Sequence, residues 1–133
     1  MTLYADSSAV LKRYLQEHDS TVAEAHLASD PVLVTSRLTE IEVRRTLARD
    51  FDGADLTALQ RQFQADLDAF ALVSLDAVTC SDAARIAEQT GCRSLDAIHI
   101  AAALRAGART TFVTFDIRQA QAARSAGLHV VGV

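Results

Sequence analysis

Short apolar runs alternate with helical patterns along the whole chain. Leu3–Ala5 predicts a first strand, and Val10, Leu11, Tyr14 and Leu15 give the stretch from about Ser8 to Gln16 a helical spacing. A second helix is predicted from about Ser20 to Ser29, with Ser20 as N-cap and Asp30-Pro31 as its stop. Val32–Thr35 reads as a buried strand, followed by a helix over about Leu38–Phe51, a turn at Asp52-Gly53 and a helix to about Phe70. In that last helix Leu56, Leu59, Phe63, Leu67 and Phe70 recur at steps of three and four, an amphipathic stripe whose simplest use is core packing. Ala71–Leu75 predicts a third strand and Asp76–Thr90 a helix that Gly91 stops. Ser94–Ala106 is helical up to Gly107, Thr111–Thr114 is a fourth strand, Ile117–Ala126 a helix closed by Gly127, and Leu128–Val131 a fifth strand.

Strands alternating with helices imply parallel pairing, so the expected class is α/β: a three-layer sandwich with a five-stranded parallel sheet flanked by helices. The 133 residues suit one domain spanning 1–133, with no linker, repeat or low-complexity tract to divide it. Two helices join the second and third strands where one would suffice, and partner binding is the obvious use for the extra hairpin.

Charge narrows the function classes. Thirteen basic residues against 17 acidic ones give a formal charge of −4, which excludes a histone-like arm or a polybasic membrane patch. Any nucleic acid must be held by local arginines or metal ions, and all basic residues but Lys12 are Arg, the residue suited to bidentate phosphate contacts. Cys80 and Cys92 lie at no metal-ligand spacing and read as small buried apolar residues in a reducing compartment. The opening residues lack a basic n-region, and no apolar run reaches 18 residues, so the expected location is cytoplasmic, away from membranes.

Four acids fall where a plain surface role is less natural. Asp6 ends the first strand and Asp116 the fourth; Asp96 lies in the first turn of the helix feeding the fourth strand, and Glu42 on the helix after the second. Open parallel sheets bind ligands beyond the carboxyl ends of their strands, where the strand order reverses. Taken singly, each acid has an ordinary use: Asp6 and Asp116 as N-caps, Asp96 against a helix dipole, Glu42 and Glu40 as partners of Arg45 and Arg44. Taken together, three or four carboxylates in one crevice repel, and need cations to be tolerable. Oxygen-only donors suit Mg²⁺ or Mn²⁺, and such ions serve phosphodiester hydrolysis.

The sequence resembles the PIN-domain ribonucleases, specifically the VapC-type toxins of type II toxin–antitoxin (VapBC) pairs. Four segments carry the likeness, in the family's order and over residues 1–133: Tyr4-Ala5-Asp6-Ser7-Ser8-Ala9-Val10, Thr35-Ser36-Arg37-Leu38 with Glu42-Val43, Leu95-Asp96-Ala97-Ile98-His99-Ile100-Ala101, and Val113-Thr114-Phe115-Asp116. The resemblance implies a metal-dependent endoribonuclease using one or two Mg²⁺ or Mn²⁺ ions. Its catalytic set is Asp6, Glu42, Asp96 and Asp116, with Asp6, Asp96 and Asp116 as metal ligands and Thr114 and Ser7 as supporting groups. Helical periodicity does not separate Glu40 from Glu42; the family block places its glutamate at Glu42. Ser8 follows Asp6 as in the family and also fits a helix cap. His99 fits a supporting donor or a packed core residue, with packing the preferred reading, and Arg37, Arg44, Arg45, Arg49 and Arg93 are candidates for bracketing RNA. A cognate VapB-type antitoxin over the early helices, an RNA substrate and a homodimer complete the expected partners.

Rival readings fit less well. An aspartyl-phosphate phosphatase wants a second Asp two residues after the first, but position 8 is Ser8. A receiver-like module needs a lysine after a late strand, and the sole lysine is Lys12. A catalytically silent PIN-like binding module is the remaining alternative, though all four acids are present.

Overall fold

The computed structural model describes residues 2–133. Its elements are β1 (Thr2–Ala5), α1 (Ser7–Leu11), α2 (Ser20–Leu27), β2 (Leu33–Ser36), α3 (Arg37–Asp50), α4 (Gly53–Ala69), β3 (Ala71–Val73), α5 (Ala77–Thr90), α6 (Ser94–Arg105), β4 (Thr110–Val113), α7 (Ile117–Ser125) and β5 (His129–Val131). The strands form one parallel sheet in the order β3-β2-β1-β4-β5. The chain builds outward from β1 to β3, then crosses back to lay β4 on the other side of β1. The order therefore reverses between β1 and β4, which pair in register from Thr2 with Thr110 to Ala5 with Val113.

Side chains alternate across a strand, so each strand feeds two cores. Leu3, Ala5, Leu33 and Val113 pack with Val10, Leu27, Val43, Leu47, Phe63 and Leu67 from α1 to α4. Tyr4 and Phe112 face the opposite layer, stacked at 5.3 Å between ring centres, against Ile86, Ile100, Ala101, Ala123 and other residues of α5 to α7. Ala97 and the run Ala101–Ala103 give α6 a small-residue face that is buried in this layer. The helical hairpin between β2 and β3 spends its stripe as expected: Phe63 and Leu67 are buried, and Leu56, Leu59 and Phe70 pack against the same core. Tyr14 ties α4 to the first connection, with its ring edge-on to Phe63 and its hydroxyl donating to Asp66 at 2.5 Å.

Most departures from the sequence reading are at element ends. The first helix is shorter, because after Leu11 the chain continues as turns. The N-cap position of α2 is Asp19, not Ser20; the Ser20 hydroxyl instead donates to the Leu15 carbonyl and accepts from the Glu17 amide, fastening the loop before the helix. The cysteines do not fit the buried reading: Cys80 is exposed and Cys92 half-buried, since Cys80 falls on the outer face of α5. Among the described residues no helix is long and apolar enough to cross a membrane.

Candidate active site

The switch point between β1 and β4 opens into a cavity of about 440 Å³ at the carboxyl ends of the strands. Asp6, Glu42, Asp96 and Asp116 all line it. The neighbouring placement of β1 and β4 that the sequence reading needed is the one the sheet adopts.

Each acid arrives by ordinary local chemistry. Asp6 leaves β1 extended and caps α1, accepting from the Ala9 amide at 3.0 Å. Asp116 caps α7, its Oδ1 accepting from the amides of Arg118 and Gln119 at 2.9 and 3.1 Å. Capping and site membership are thus not rivals here, because a cap carboxylate between a strand end and a helix start is held at the mouth of the crevice. Asp96 is in the first turn of α6, whose backbone carbonyl accepts from the buried Gln119 side chain at 3.3 Å. Ser36 caps α3 by accepting from the Leu38 amide, and Thr39, Glu42, Val43 and Thr46 then share the face turned to the crevice and core.

Hydroxyls hold Asp6 rigidly. Thr114 donates to Oδ2 at 2.5 Å and Ser8 to Oδ1 at 2.7 Å. The same two hydroxyls accept the Asp116 and Phe115 amides at 3.1 and 2.9 Å, so they stitch β4's exit loop to β1's. Asp6 is only 4% exposed, and burial pushes its carboxyl above the ordinary aspartate range despite these donors and the nearby His99. A buried carboxylate in that condition is short of positive charge.

Glu42 is in the opposite condition. Burial acts to raise its carboxyl, but hydrogen bonds from His99 and Ser7 outweigh it and hold the group below the usual range. Both bonds fall on Oε1, at 2.7 Å from His99 Nε2 and 2.6 Å from Ser7 Oγ. A carboxylate only accepts, so Nε2 carries a proton; in the neutral ring Nδ1 then accepts from the Tyr4 hydroxyl at 2.7 Å. His99 is buried as the packing preference held, yet both its nitrogens are committed to this Tyr4–His99–Glu42 chain. Tyr4 was not singled out by the sequence reading. Its position two residues before Asp6 with its side chain on the α6 face was the available signal, which needs the strand register to be read.

The structure separates the two glutamates. Glu42 lines the crevice, whereas Glu40 pairs with Arg37 at 3.3 Å on the outer face. Of the five candidate RNA-bracketing arginines, only Arg93 lines the crevice; its guanidinium lies 3.2 Å from Asp96 and 3.7 Å from Asp116. Arg49 pairs with Asp50, and Arg44 lies beside Phe63 and Gln64, away from the acids.

The donor set is oxygen-only: four carboxylates and the serine hydroxyls, with no cysteine and with His99 engaged elsewhere. That composition fits a hard divalent ion such as Mg²⁺ or Mn²⁺. Among the described residues, no three Asp, Glu, His or Cys side chains stand close enough together to hold an ion between them. An open carboxylate set completed by waters and phosphate oxygens is the usual manner of Mg²⁺.

The internal chain has a measurable worth. Replacing His99 with Leu strands the buried Tyr4 hydroxyl and removes the main partner of Glu42. A loss of about 2–4 kcal/mol in urea denaturation is expected, since each stranded buried polar group costs roughly 1–3 kcal/mol. Adding Tyr4→Phe to His99→Leu should recover part of that loss. A strictly additive double variant would mean that the hydroxyl and the imidazole are not coupled.

A model of the PIN domain matches residues 3–125. Ribonuclease VapC35 of Mycobacterium tuberculosis is 37% identical over 134 residues, covering 97% of this chain and 95% of that one. Among solved structures, FitAcB from Neisseria gonorrhoeae superposes with a TM-score of 0.79 at 20% identity, covering 98% of this chain and 97% of the other. A toxin–antitoxin complex from Klebsiella pneumoniae contains a chain that matches with a TM-score of 0.73 at 16% identity, covering 99% and 97%. The two structural likenesses speak to the fold, and the family model and the 37% relative to descent: this chain belongs to the PIN-domain family, in its VapC ribonuclease branch.

Proposed function

We propose that this protein is a divalent-metal-dependent endoribonuclease and the toxin of a type II toxin–antitoxin pair, held inactive by a VapB-type antitoxin. The observation that carries the enzymatic reading is the convergence of Asp6, Glu42, Asp96 and Asp116 on one crevice at the switch point of the sheet. Membership in the VapC branch supports RNA as substrate, and the toxin–antitoxin complex among its structural likenesses supports the partner.

In this reading Asp6, Asp96 and Asp116 hold the ion or ions. A bound Mg²⁺ or Mn²⁺ supplies a Lewis acid against phosphodiester oxygens and lowers the pKa of water. Thr114 and Ser8 keep Asp6 from rotating as charge develops. Glu42 is held ionised by His99 and Ser7 through Oε1, which leaves Oε2, without a hydrogen bond among the described residues, to take a proton from the attacking water. Arg93 offers a planar fork for the phosphate. Attack by water rather than by the ribose 2′-hydroxyl predicts products with a 5′-phosphate and a 3′-hydroxyl.

The test is cleavage of total RNA by the purified chain with Mn²⁺, with EDTA, and with Asp96→Asn. Cutting that requires the ion, fails in the variant and leaves 5′-phosphates supports the proposal. Ends carrying a 2′,3′-cyclic phosphate overturn the water mechanism. A folded, antitoxin-free chain that cuts no RNA favours the silent binding module instead.

A further inference from the structure

A second cavity, of about 380 Å³, lies on the α7 side of the acidic crevice. Arg93 and Asp96 line both, so the two cavities adjoin at these side chains. The far wall of the second cavity carries Arg118, Gln121 and Ser125 from α7, and its near wall the Thr90–Cys92 turn. Its size is in the range of about 300–1,000 Å³ typical of small-molecule sites. Nothing assigned to the four acids so far uses it.

Its charge is unlike the rest of the chain. The protein is acidic overall, yet this cavity gathers two guanidiniums against the single carboxylate of Asp96. Arg118 is exposed and makes no ion pair with any acid among the described residues, while its backbone amide is fixed at 2.9 Å on Asp116. The residue is thus anchored to the candidate site by its main chain and leaves its cation free at the mouth of the cavity. On the opposite side of the crevice the lining is Leu11, Glu42 and Thr46, with no arginine. Among the residues lining the crevice, Arg93 is the one arginine or lysine, and it stands on the side of the second cavity.

We infer that the cavity between the Thr90–Cys92 turn and α7 is a nucleotide subsite for single-stranded RNA, in which Arg118 contacts the phosphate next to the scissile one. The inference rests on the proposed ribonuclease reading and says where the strand runs. With the scissile phosphate between Asp96 and Asp116, the neighbouring nucleotide enters the second cavity past Arg93. Gln121 and Ser125 there offer side-chain amide, carbonyl and hydroxyl groups to a base edge or a 2′-hydroxyl, the groups by which unpaired RNA is recognised. Arginine at this place supplies a bidentate phosphate contact that a lysine would not.

The experiment titrates the ¹⁵N-labelled chain, in EDTA to prevent turnover, with a short single-stranded oligoribonucleotide of mixed sequence. Amide shifts are followed at Gly91–Arg93 and along α7. Arg118→Ala and, as control, Arg109→Ala are titrated alongside; Arg109 is an exposed arginine before β4, at the opposite end of the sheet. The expected result is shifts on both walls of the second cavity, with affinity about five- to tenfold weaker in Arg118→Ala and unchanged in Arg109→Ala. The slope of log affinity against log salt should fall by about 0.7 in Arg118→Ala, the loss of one phosphate contact to a single strand. Shifts confined to the acidic crevice, or equal weakening by both variants, overturn the subsite. Metal-dependent cleavage of total RNA by the same preparation separates the two failures. If cleavage occurs and α7 is silent, the subsite alone is wrong; if no RNA is cut or bound, the ribonuclease reading falls with it.

Discussion

Asp6→Asn is expected to abolish RNA cleavage and, in the same protein, to raise the stability of the metal-free chain at neutral pH. The two effects have one cause. Asp6 is a buried carboxyl whose ionised form is disfavoured by burial more than its donors compensate. A group whose folded pKa lies above its unfolded value binds protons more readily in the folded state. Its burden is therefore full above the raised value and is relieved as pH falls through that value toward the ordinary aspartate range. Asparagine removes the charge while keeping the shape. The Ser8 hydroxyl and the Ala9 amide still find the amide oxygen, and the Thr114 hydroxyl turns to accept from the amide nitrogen. The melting temperature in EDTA should rise at pH 7, with the difference from wild type shrinking toward pH 4. With millimolar Mn²⁺ the order should reverse, because a ligand at about 100 times its Kd stabilises the folded state by about 2.7 kcal/mol and the variant binds it poorly. Cleavage should fall by more than ~100-fold, since even outer partners of metal ligands cost about 10–100-fold when lost. A variant that still cuts RNA at a comparable rate would remove Asp6 from the site.

The parallel sheet and its acids were legible for different reasons. Period and punctuation sufficed for the fold: five short apolar runs, the first four each followed by a helical pattern, permit few arrangements, and every strand appears within about two residues of its expected place. The acids needed topology as well. Asp6 and Asp116 are 110 positions apart and become neighbours only because β4 returns to pair with β1. That pairing follows from no local pattern, and the family likeness supplied what periodicity lacked. The same holds for Glu42 against Glu40, two positions apart on one helix. The face of α3 that meets the crevice is fixed by the Thr35–Thr39 hydroxyl contact and by Val43 and Leu47 in the core, and this turns Glu40 outward to Arg37.

What stayed hidden depends on contacts across layers. His99 sits one turn past Asp96 on a helix rich in alanine, so packing was a sound expectation, and it is in fact buried. Its bonds to Tyr4 and Glu42 join β1, α6 and α3, three elements whose mutual approach no single-chain pattern records. The cysteines erred the other way. Their residue type is commonly buried, but Cys80 sits one position along from the buried Thr79 on α5, and a helix turns its face by about 100° per residue. Arginine placement was similarly unreadable: Arg37 and Arg93 both flank acids in sequence, yet only Arg93 reaches two of them at the crevice.

Gly132→Ala is expected to be strongly destabilising, although Gly132 touches no carboxylate. The residue follows β5 with φ +111°, a conformation that side chains strain to adopt. A β-carbon there would also overlap the Thr114 carbonyl oxygen, far inside van der Waals contact, and lie 3.0 Å from its carbon, both backbone atoms that cannot rotate away. Strain of this kind alone costs about 1–3 kcal/mol, and the clash adds to it. A fall in melting temperature of roughly 10 °C follows for a domain of this size. Gly91→Ala provides the calibration, because Gly91 is left-handed at the end of α5 with open space around it, so only the conformational cost of about 1 kcal/mol applies. The consequence for function is local. Thr114 is held to β5 by its amide on the Val131 carbonyl, and its hydroxyl holds Asp6 at 2.5 Å. Backing Thr114 away from Gly132 shifts that hydroxyl, so the variant should lose cleavage well below its own melting temperature. If Gly132→Ala melts like Gly91→Ala and cuts RNA like wild type, the close packing of β5's end on Thr114 does not support the site.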